Sequence, residues 1–376
     1  MKFWPSLLLL ALLGHGARAE EAPLYVAGNE GIYRDTLDTD TGKLGKLTLA
    51  CAAKSPNFLA FSSDRQILYA TLGAGERTLA DFFVQPDGSL SPLDEMPSGG
   101  AGACHVWLDG TGENVLVAHY DSGSIACFQL HDDGTLGTRT ALVRFTGSGP
   151  DPKRQTKPYA HSVYTDPGNK FVYACDLGTD KVRIFKFDAA KGTLAPNDPP
   201  FGKVPPGSGP RHLAFSPNGK FVYVANEMGH SVTLFSRKAA SGALIALQTV
   251  STLPPETPAK GVTTAEIVCP PSGKWLYVSN RGCDTISVFS IARDGKLTLV
   301  QSASSVVQMP RGFAIDPSGQ WLIAAGQKDN RIAVLKIDPA TGRLTATDQV
   351  AEMAGPVCVL FAGPGNKDTL QDETRD

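Results

Sequence analysis

Helix signals are almost absent from this chain of 376 residues, which leaves strands and turns as its building material. Charge of a single sign is also missing. Lys and Arg number 35 against 37 Asp and Glu, for a net charge of −2. That balance gives no reason to expect a nucleic acid or an anionic membrane as partner. No Cys-x-x-Cys or Cys/His spacing marks a zinc site. There is no serine nucleophile elbow, P-loop or dinucleotide fingerprint. Neither a cofactor nor a metal is expected. No apolar run is long enough for a spanning helix, so membrane insertion is not expected either.

Cysteine is sparse, and its seven positions (51, 104, 127, 175, 269, 283 and 358) follow no pairing pattern. Cys104, Cys127, Cys175, Cys269 and Cys358 fall in predicted strands, where small buried thiols are common. Free, mostly buried thiols are expected, and an odd count leaves at least one unpaired.

The first nineteen residues differ from the rest. Lys2 supplies a positive start, Leu7 to Leu13 is an apolar run, and Ala17-Arg18-Ala19 fits the small-x-small cleavage rule. Residues 1–19 are expected to be a secretory signal peptide, removed after Ala19, with the mature protein exported to a bacterial periplasm. No Cys follows the cleavage site, so no lipid anchor is expected.

What the chain does contain is one phrase repeated seven times. A Gly-x-Leu step begins at Gly42, Gly88, Gly134, Gly192, Gly242, Gly295 and Gly342, at spacings of 46, 46, 58, 50, 53 and 47 residues. A period of this length, built from short apolar runs and turn residues, marks a radial β array in which each unit is one small sheet. The clearest unit begins with the apolar strand Arg211-His212-Leu213-Ala214-Phe215. The turn Ser216-Pro217-Asn218-Gly219 follows, then strands over 220–226, 231–236 and 244–250. Four antiparallel strands per unit is a propeller blade.

The chain ends supply a separate check. Leu24-Tyr25-Val26-Ala27 resembles a second strand, and Pro356 to Phe361 resembles a first. The C-terminal strand is therefore expected to complete the N-terminal blade and close the ring, removing two free sheet edges. The expectation is an all-β, seven-bladed β-propeller over residues 20–363, with a polar tail at 364–376. A ring without free edges can stand alone, so a monomer is expected.

In such a blade the first strand is innermost. Its start and the end of the second strand lie at the same mouth of the channel. First-strand starts carry His105, His161, Arg211, His212, Glu266 and Arg311. Second-strand ends carry Asn29, His119, Tyr120, Asp176, Asn226, Glu227, Asn280, Arg281 and Gln327. The other mouth receives plain turns, so ionisable groups collect on one face, and a charged funnel is a ligand-site candidate. The alternative is that these residues only cap strand ends near solvent. Arg211, Arg281 and Arg311 could grip a carboxylate or phosphate. Glu227 and Arg281 could equally form a simple salt bridge. His161 could be a general base or a hydrogen-bonded rim histidine. For His105, His119 and His212 the plainer structural reading is favoured.

These stretches resemble the seven-bladed lactonase family, which includes propeller-type 6-phosphogluconolactonases and carboxymuconate-cyclase-like proteins. The resemblance spans about residues 23 to 362. It is carried by Gly209 to Lys220 continuing to Asn226-Glu227, by Ala265-Glu266-Ile267 with Leu276 to Gly282, and by Ala160-His161-Ser162-Val163 with Cys175 to Asp180. It implies a metal-independent lactonase acting on a small-molecule sugar lactone, with His161, Arg211, Glu227 and Arg281 as catalytic residues. His105, His212, Glu266, Asn280 and Arg311 are the candidates for holding substrate. Either His161 or Glu227 would take the proton. The sequence departs from the family's Pro-His-x-His, with Tyr159 in place of the first histidine (Pro158-Tyr159-Ala160-His161). A non-enzymatic ligand- or protein-binding propeller and a muconate-type lactonising cyclase are the alternative functions.

Overall fold

A computed structural model describes residues 21–73 and 78–363 of the chain. The expected signal peptide and polar tail lie outside the described residues. Within them stand seven sheets of four antiparallel strands. The one helical element there is a single 3₁₀ turn, Leu177–Thr179.

The ring closes as the chain ends imply. Cys358–Phe361 pairs antiparallel with Glu21–Gly28, with Val26 opposite Val359. We number as blade 1 the sheet formed by that pair with Gly31–Asp38 and Thr48–Ala52. Blades 2 to 7 follow in chain order. Their first strands are Pro56–Phe61, Ala103–Leu108, Ala160–Thr165, Pro210–Phe215, Thr263–Val268 and Pro310–Ile315. Each first strand packs against those of the neighbouring blades, so the seven form the inner ring.

The core lies between blades. Tyr164, Phe171, Tyr173 and Ile184 of blade 4 pack on Leu213, Val222, Val224 and Phe235 of blade 5. Fully burying one such side chain contributes roughly 1.5–3 kcal/mol, so each wedge is held mainly by its neighbours' apolar faces.

The repeated Gly-x-Leu step has two physical causes. First, the glycine sits in the left-handed region, at φ between +61° and +82° in all seven copies, where side chains are disfavoured. Second, it lies under the preceding blade. A Cβ on Gly342 would come within 2.4 Å of the Trp275 ring, and one on Gly295 within 2.7 Å of Phe221. The glycine carbonyl is also a clasp point. Tyr25, Tyr69, Tyr173, Tyr223 and Tyr277 hydroxyls donate to the carbonyls of Gly88, Gly134, Gly242, Gly295 and Gly342 on the next blade, at 2.6 to 3.1 Å. At the seam between blades 7 and 1 the Trp321 indole N–H takes this part, donating to Thr39 O at 2.7 Å.

All seven cysteines are free. Cys269 falls just beyond the strand Thr263–Val268, and Cys51 lies within a strand.

Candidate active site

The candidate side chains are aimed by irregularities in the first strands. In blade 4 the pairing steps from Ala160↔Asp176 to Ser162↔Cys175, leaving His161 unpaired. In blade 5 it steps from Pro210↔Asn226 to His212↔Ala225 and skips Arg211. Blade 7 skips Arg311, blade 3 skips Cys104, and blade 6 leaves Ala265 and Glu266 between paired positions. A bulge puts one extra residue on a strand and re-aims its side chain. Repeated around the ring, it delivers His161, Arg211, Glu266 and Arg311 from four different blades.

Glu227 is the hub. It directly follows the second strand of blade 5, Phe221–Asn226, and its side chain is 7% exposed. Its Oε2 lies 3.1 Å from Arg281 Nη2, 3.4 Å from Arg211 Nε and 3.8 Å from His161 Nε2. Its Oε1 accepts from Arg154 Nη2 at 2.7 Å. Burial pushes this carboxyl up, but Arg281, Arg211 and Arg154 outweigh it and hold the group at about 2. Glu227 is therefore ionised at any physiological pH.

Two of the arginines are fixed from behind. Arg211 Nη1 donates to Ala265 O at 2.8 Å, and Arg281 Nη2 lies 3.4 Å from Thr264 O. The Nε–H groups of both are buried without a hydrogen-bond acceptor. Such fixed donors suit an oxyanion. Arg311 has no hydrogen bond or ion pair among the described residues, while the charges of Arg281, Glu227 and Glu266 act on it. Four guanidinium groups thus stand against the two carboxylates Glu227 and Glu266, and the cluster is net cationic.

His161 is buried, and its Nδ1 has no partner. Burial, reinforced by the positive charges around it, pushes its pKa well below the usual 6.5, so the imidazole is neutral. It stacks edge-on against Tyr120 at 5.4 Å and His212 at 5.2 Å between ring centroids. Beside it, His212 Nδ1 lies 2.9 Å from Glu266 Oε1. Burial outweighs the pull of Glu266 and lowers His212, so a neutral ring donates Nδ1–H to an ionised carboxylate. His105 lies beyond, between Phe58 and His212, and burial holds it neutral too.

The structure thus gathers His161, Arg211, Glu227 and Arg281 into one cluster, with Arg311, Glu266 and His212 beside it and His105 beneath. Asn280 is different. Its Nδ2 donates to Ser287 Oγ at 2.9 Å and Thr285 Oγ1 at 3.2 Å, so its side chain serves its own blade. Asn226 does the same in blade 5 with Ser231 and Thr233. His119 pins blade 3, with Nε2 3.0 Å from Ser98 O and Nδ1 3.1 Å from Ser124 Oγ. Arg154 is the member that sequence reasoning missed. It sits in the connection between blades 3 and 4, at neither strand start nor strand end, so the positional rule could not find it. Among the described residues no group of three or more His, Cys, Asp or Glu is placed to hold a metal ion.

A seven-bladed propeller that gathers buried arginines, a carboxylate and a neutral histidine into one cluster suits hydrolytic chemistry. Comparison narrows it. The chain matches the family described as "Lactonase, 7-bladed beta-propeller" over residues 16–361. It is 33% identical over 337 residues to a 6-phosphogluconolactonase of Bacillus subtilis, covering 89% of this chain and 95% of that one. A 6-phosphogluconolactonase of Cronobacter sakazakii is 31% identical, covering 84% and 92%. The solved structure of a periplasmic gluconolactonase from Pseudomonas aeruginosa superposes with a TM-score of 0.85 at 27% identity, covering 92% and 99%. The chain belongs to the seven-bladed β-propeller lactonase family, and it is a hydrolase of the lactonase class.

Proposed function

We propose that the protein hydrolyses a sugar lactone at the mouth lined by His161, Arg211, Glu227 and Arg281. The observation that carries this reading is the position of Glu227, within 4 Å of His161 and of Arg154, Arg211 and Arg281. A carboxylate held at about 2 and gripped by three guanidiniums is a poor proton acceptor. The neutral His161 is the better one. Water attacks the ring carbonyl carbon while His161 takes its proton, and the imidazolium formed is offset by Glu227. The carbonyl oxygen becomes an oxyanion facing the Nε–H groups of Arg211 and Arg281. A well-placed donor of this kind contributes about 3–4 kcal/mol to the transition state. The tetrahedral centre then expels the ring oxygen, which recovers the proton from His161, and the hydroxy acid formed gives its carboxyl proton to solvent and leaves as its carboxylate.

The expected export favours a lactone met outside the cytoplasm as substrate. Residues 1–19 carry the features of a secretory leader, and the P. aeruginosa relative bears the name periplasmic gluconolactonase. We take the closed ring to act as a monomer. The test uses mature protein with gluconolactone and its 6-phosphate. Hydrolysis no faster than in buffer, with Arg211→Ala equal to the wild type, would remove the lactonase reading for this site.

A further inference from the structure

Arg154 differs from the other arginines of the cluster. Arg211 and Arg281 are almost wholly buried and reach backbone carbonyls behind them. The Arg154 side chain is 41% exposed, and it bonds only Glu227 Oε1, at 2.7 Å, and the Tyr120 hydroxyl, at 3.3 Å. Glu227 is 7% exposed, so only the Arg154 side of this pair opens to solvent, and its guanidinium can be reached from outside the cluster. If Arg154 lets go, Glu227 keeps Arg211 and Arg281 and stays ionised.

The base of the arm is firm. Arg154 follows a turn in which the Asp151 carboxylate accepts from the Lys153 and Arg154 amides, both at 2.8 Å. Its neighbour Gln155 is fully buried and donates to Leu177 O and Asp180 Oδ1, both at 2.8 Å. Only the side chain lies beyond this anchor. Beside it lie Tyr120 and Tyr159, both half-buried, with ring centroids 4.8 Å apart. Tyr120 also touches His161. The two rings therefore run from the candidate base toward the rim where Arg154 reaches water. Aromatic faces of this kind suit the C–H face of a sugar.

We propose that Arg154, Tyr120 and Tyr159 form a rim subsite for the end of the sugar chain remote from the lactone carbonyl. Arg154 exchanges Glu227 Oε1 for an anionic group there, a phosphate or a terminal carboxylate. A planar guanidinium matches either anion bidentately. This inference rests on the lactonase reading for the placement of the reacting ring, and it makes Arg154 a specificity residue.

The experiment measures binding of gluconate, 6-phosphogluconate and glucarate to the mature protein by calorimetry, with wild type, Arg154→Gln and Arg154→Lys. Lactone turnover is followed in parallel. In wild type at least one doubly anionic ligand binds more tightly than gluconate. Arg154→Gln lowers the ratio of its affinity to that of gluconate at least tenfold, and Arg154→Lys restores part of it. The ligand that loses its advantage identifies phosphate or carboxylate as the preferred group. Loss in equal proportion for all three ligands means that Arg154 acts only through Glu227, and overturns the proposal. So does no preference for a second anion in wild type, or a ratio unchanged in Arg154→Gln. Turnover with an unchanged ratio sinks the subsite alone, whereas a shifted ratio without turnover sinks the lactonase reading alone. Should Arg154→Gln fail to fold, the wild-type ratio decides through salt: it must fall as ionic strength rises.

Discussion

Glu227 Oε2 stands 3.1 Å from Arg281 Nη2, and the two residues come from neighbouring blades. A buried ion pair broken on one side leaves an uncompensated charge, which costs about 3–5 kcal/mol. Glu227→Gln therefore leaves Arg211 and Arg281 facing each other without a counter-charge. Thermal denaturation is expected at clearly lower temperature than in the wild type, together with loss of lactone hydrolysis. An unshifted melting curve would show that the cluster is not held by this carboxylate.

The oxyanion assignment makes Arg281→Met and Arg211→Met informative through kcat. Removal of one fixed donor costs about 10²–10³ in kcat in comparable sites. Each substitution is expected to lower kcat by that order. A change confined to KM would place the arginine on ground-state binding instead.

Much of this was readable from residue order, and the exceptions have physical reasons. The glycine repeat is legible because its seven positions need positive φ and lie under a neighbouring blade, as Gly342 does under Trp275. The converging strand ends are legible because a closed ring of equal units fixes where each end points. The bulge that skips His161 and Arg211 is a hydrogen-bonding pattern between strands, and no local residue type announces it. Position along a strand does not say which way a side chain turns, and that is why the bonds of Asn280 within its own blade are not legible in the sequence. Arg154 was invisible because the buried Gln155, and not a strand, sets its place.

His161 and His119 separate chemistry from architecture. His161→Asn removes the proposed base, and a loss of about 10²–10⁴ in kcat/KM is expected. His119→Asn removes a histidine whose two nitrogens face Ser124 Oγ of blade 3 and Ser98 O in the connection from blade 2. It is expected to lower the melting temperature while kcat/KM stays within about threefold. Equal kinetic losses in the two variants would undo the assignment of His161 as base.

The blade clasp predicts a pair of stability effects. Tyr277→Phe removes the bond to Gly342 O and leaves a buried acceptor unmet, at a cost of about 1–3 kcal/mol. Gly342→Ala puts a Cβ against the Trp275 ring at a φ of +69°, which combines overpacking with backbone strain. It is expected to cost more than Tyr277→Phe in denaturant unfolding. A neutral Gly342→Ala would mean that the blade seam is looser than its contacts imply.

The buried histidines fix the response to acid, and the sign follows from which state binds more protons. His105, His119, His161 and His212 are all pushed below 6.5, first of all by burial, and His119 lies at about 4. In the unfolded chain each takes a proton near 6.5. Below that pH the unfolded state binds more protons, so stability falls as pH falls. For His119 alone the loss by pH 4 is about 3 kcal/mol. Glu227 adds a second, lower window. Its contribution is whole above 4.5 and is lost as pH falls toward 2. Activity follows a different curve, because the base His161 stays unprotonated in the folded protein well below 6.5. The expected outcome is a kcat/KM that stays level as pH drops through 6.5, while the melting temperature already declines. A kinetic inflection at 6.5, or a melting temperature constant from pH 6.5 to 4, would contradict the neutral, buried histidines on which the mechanism depends.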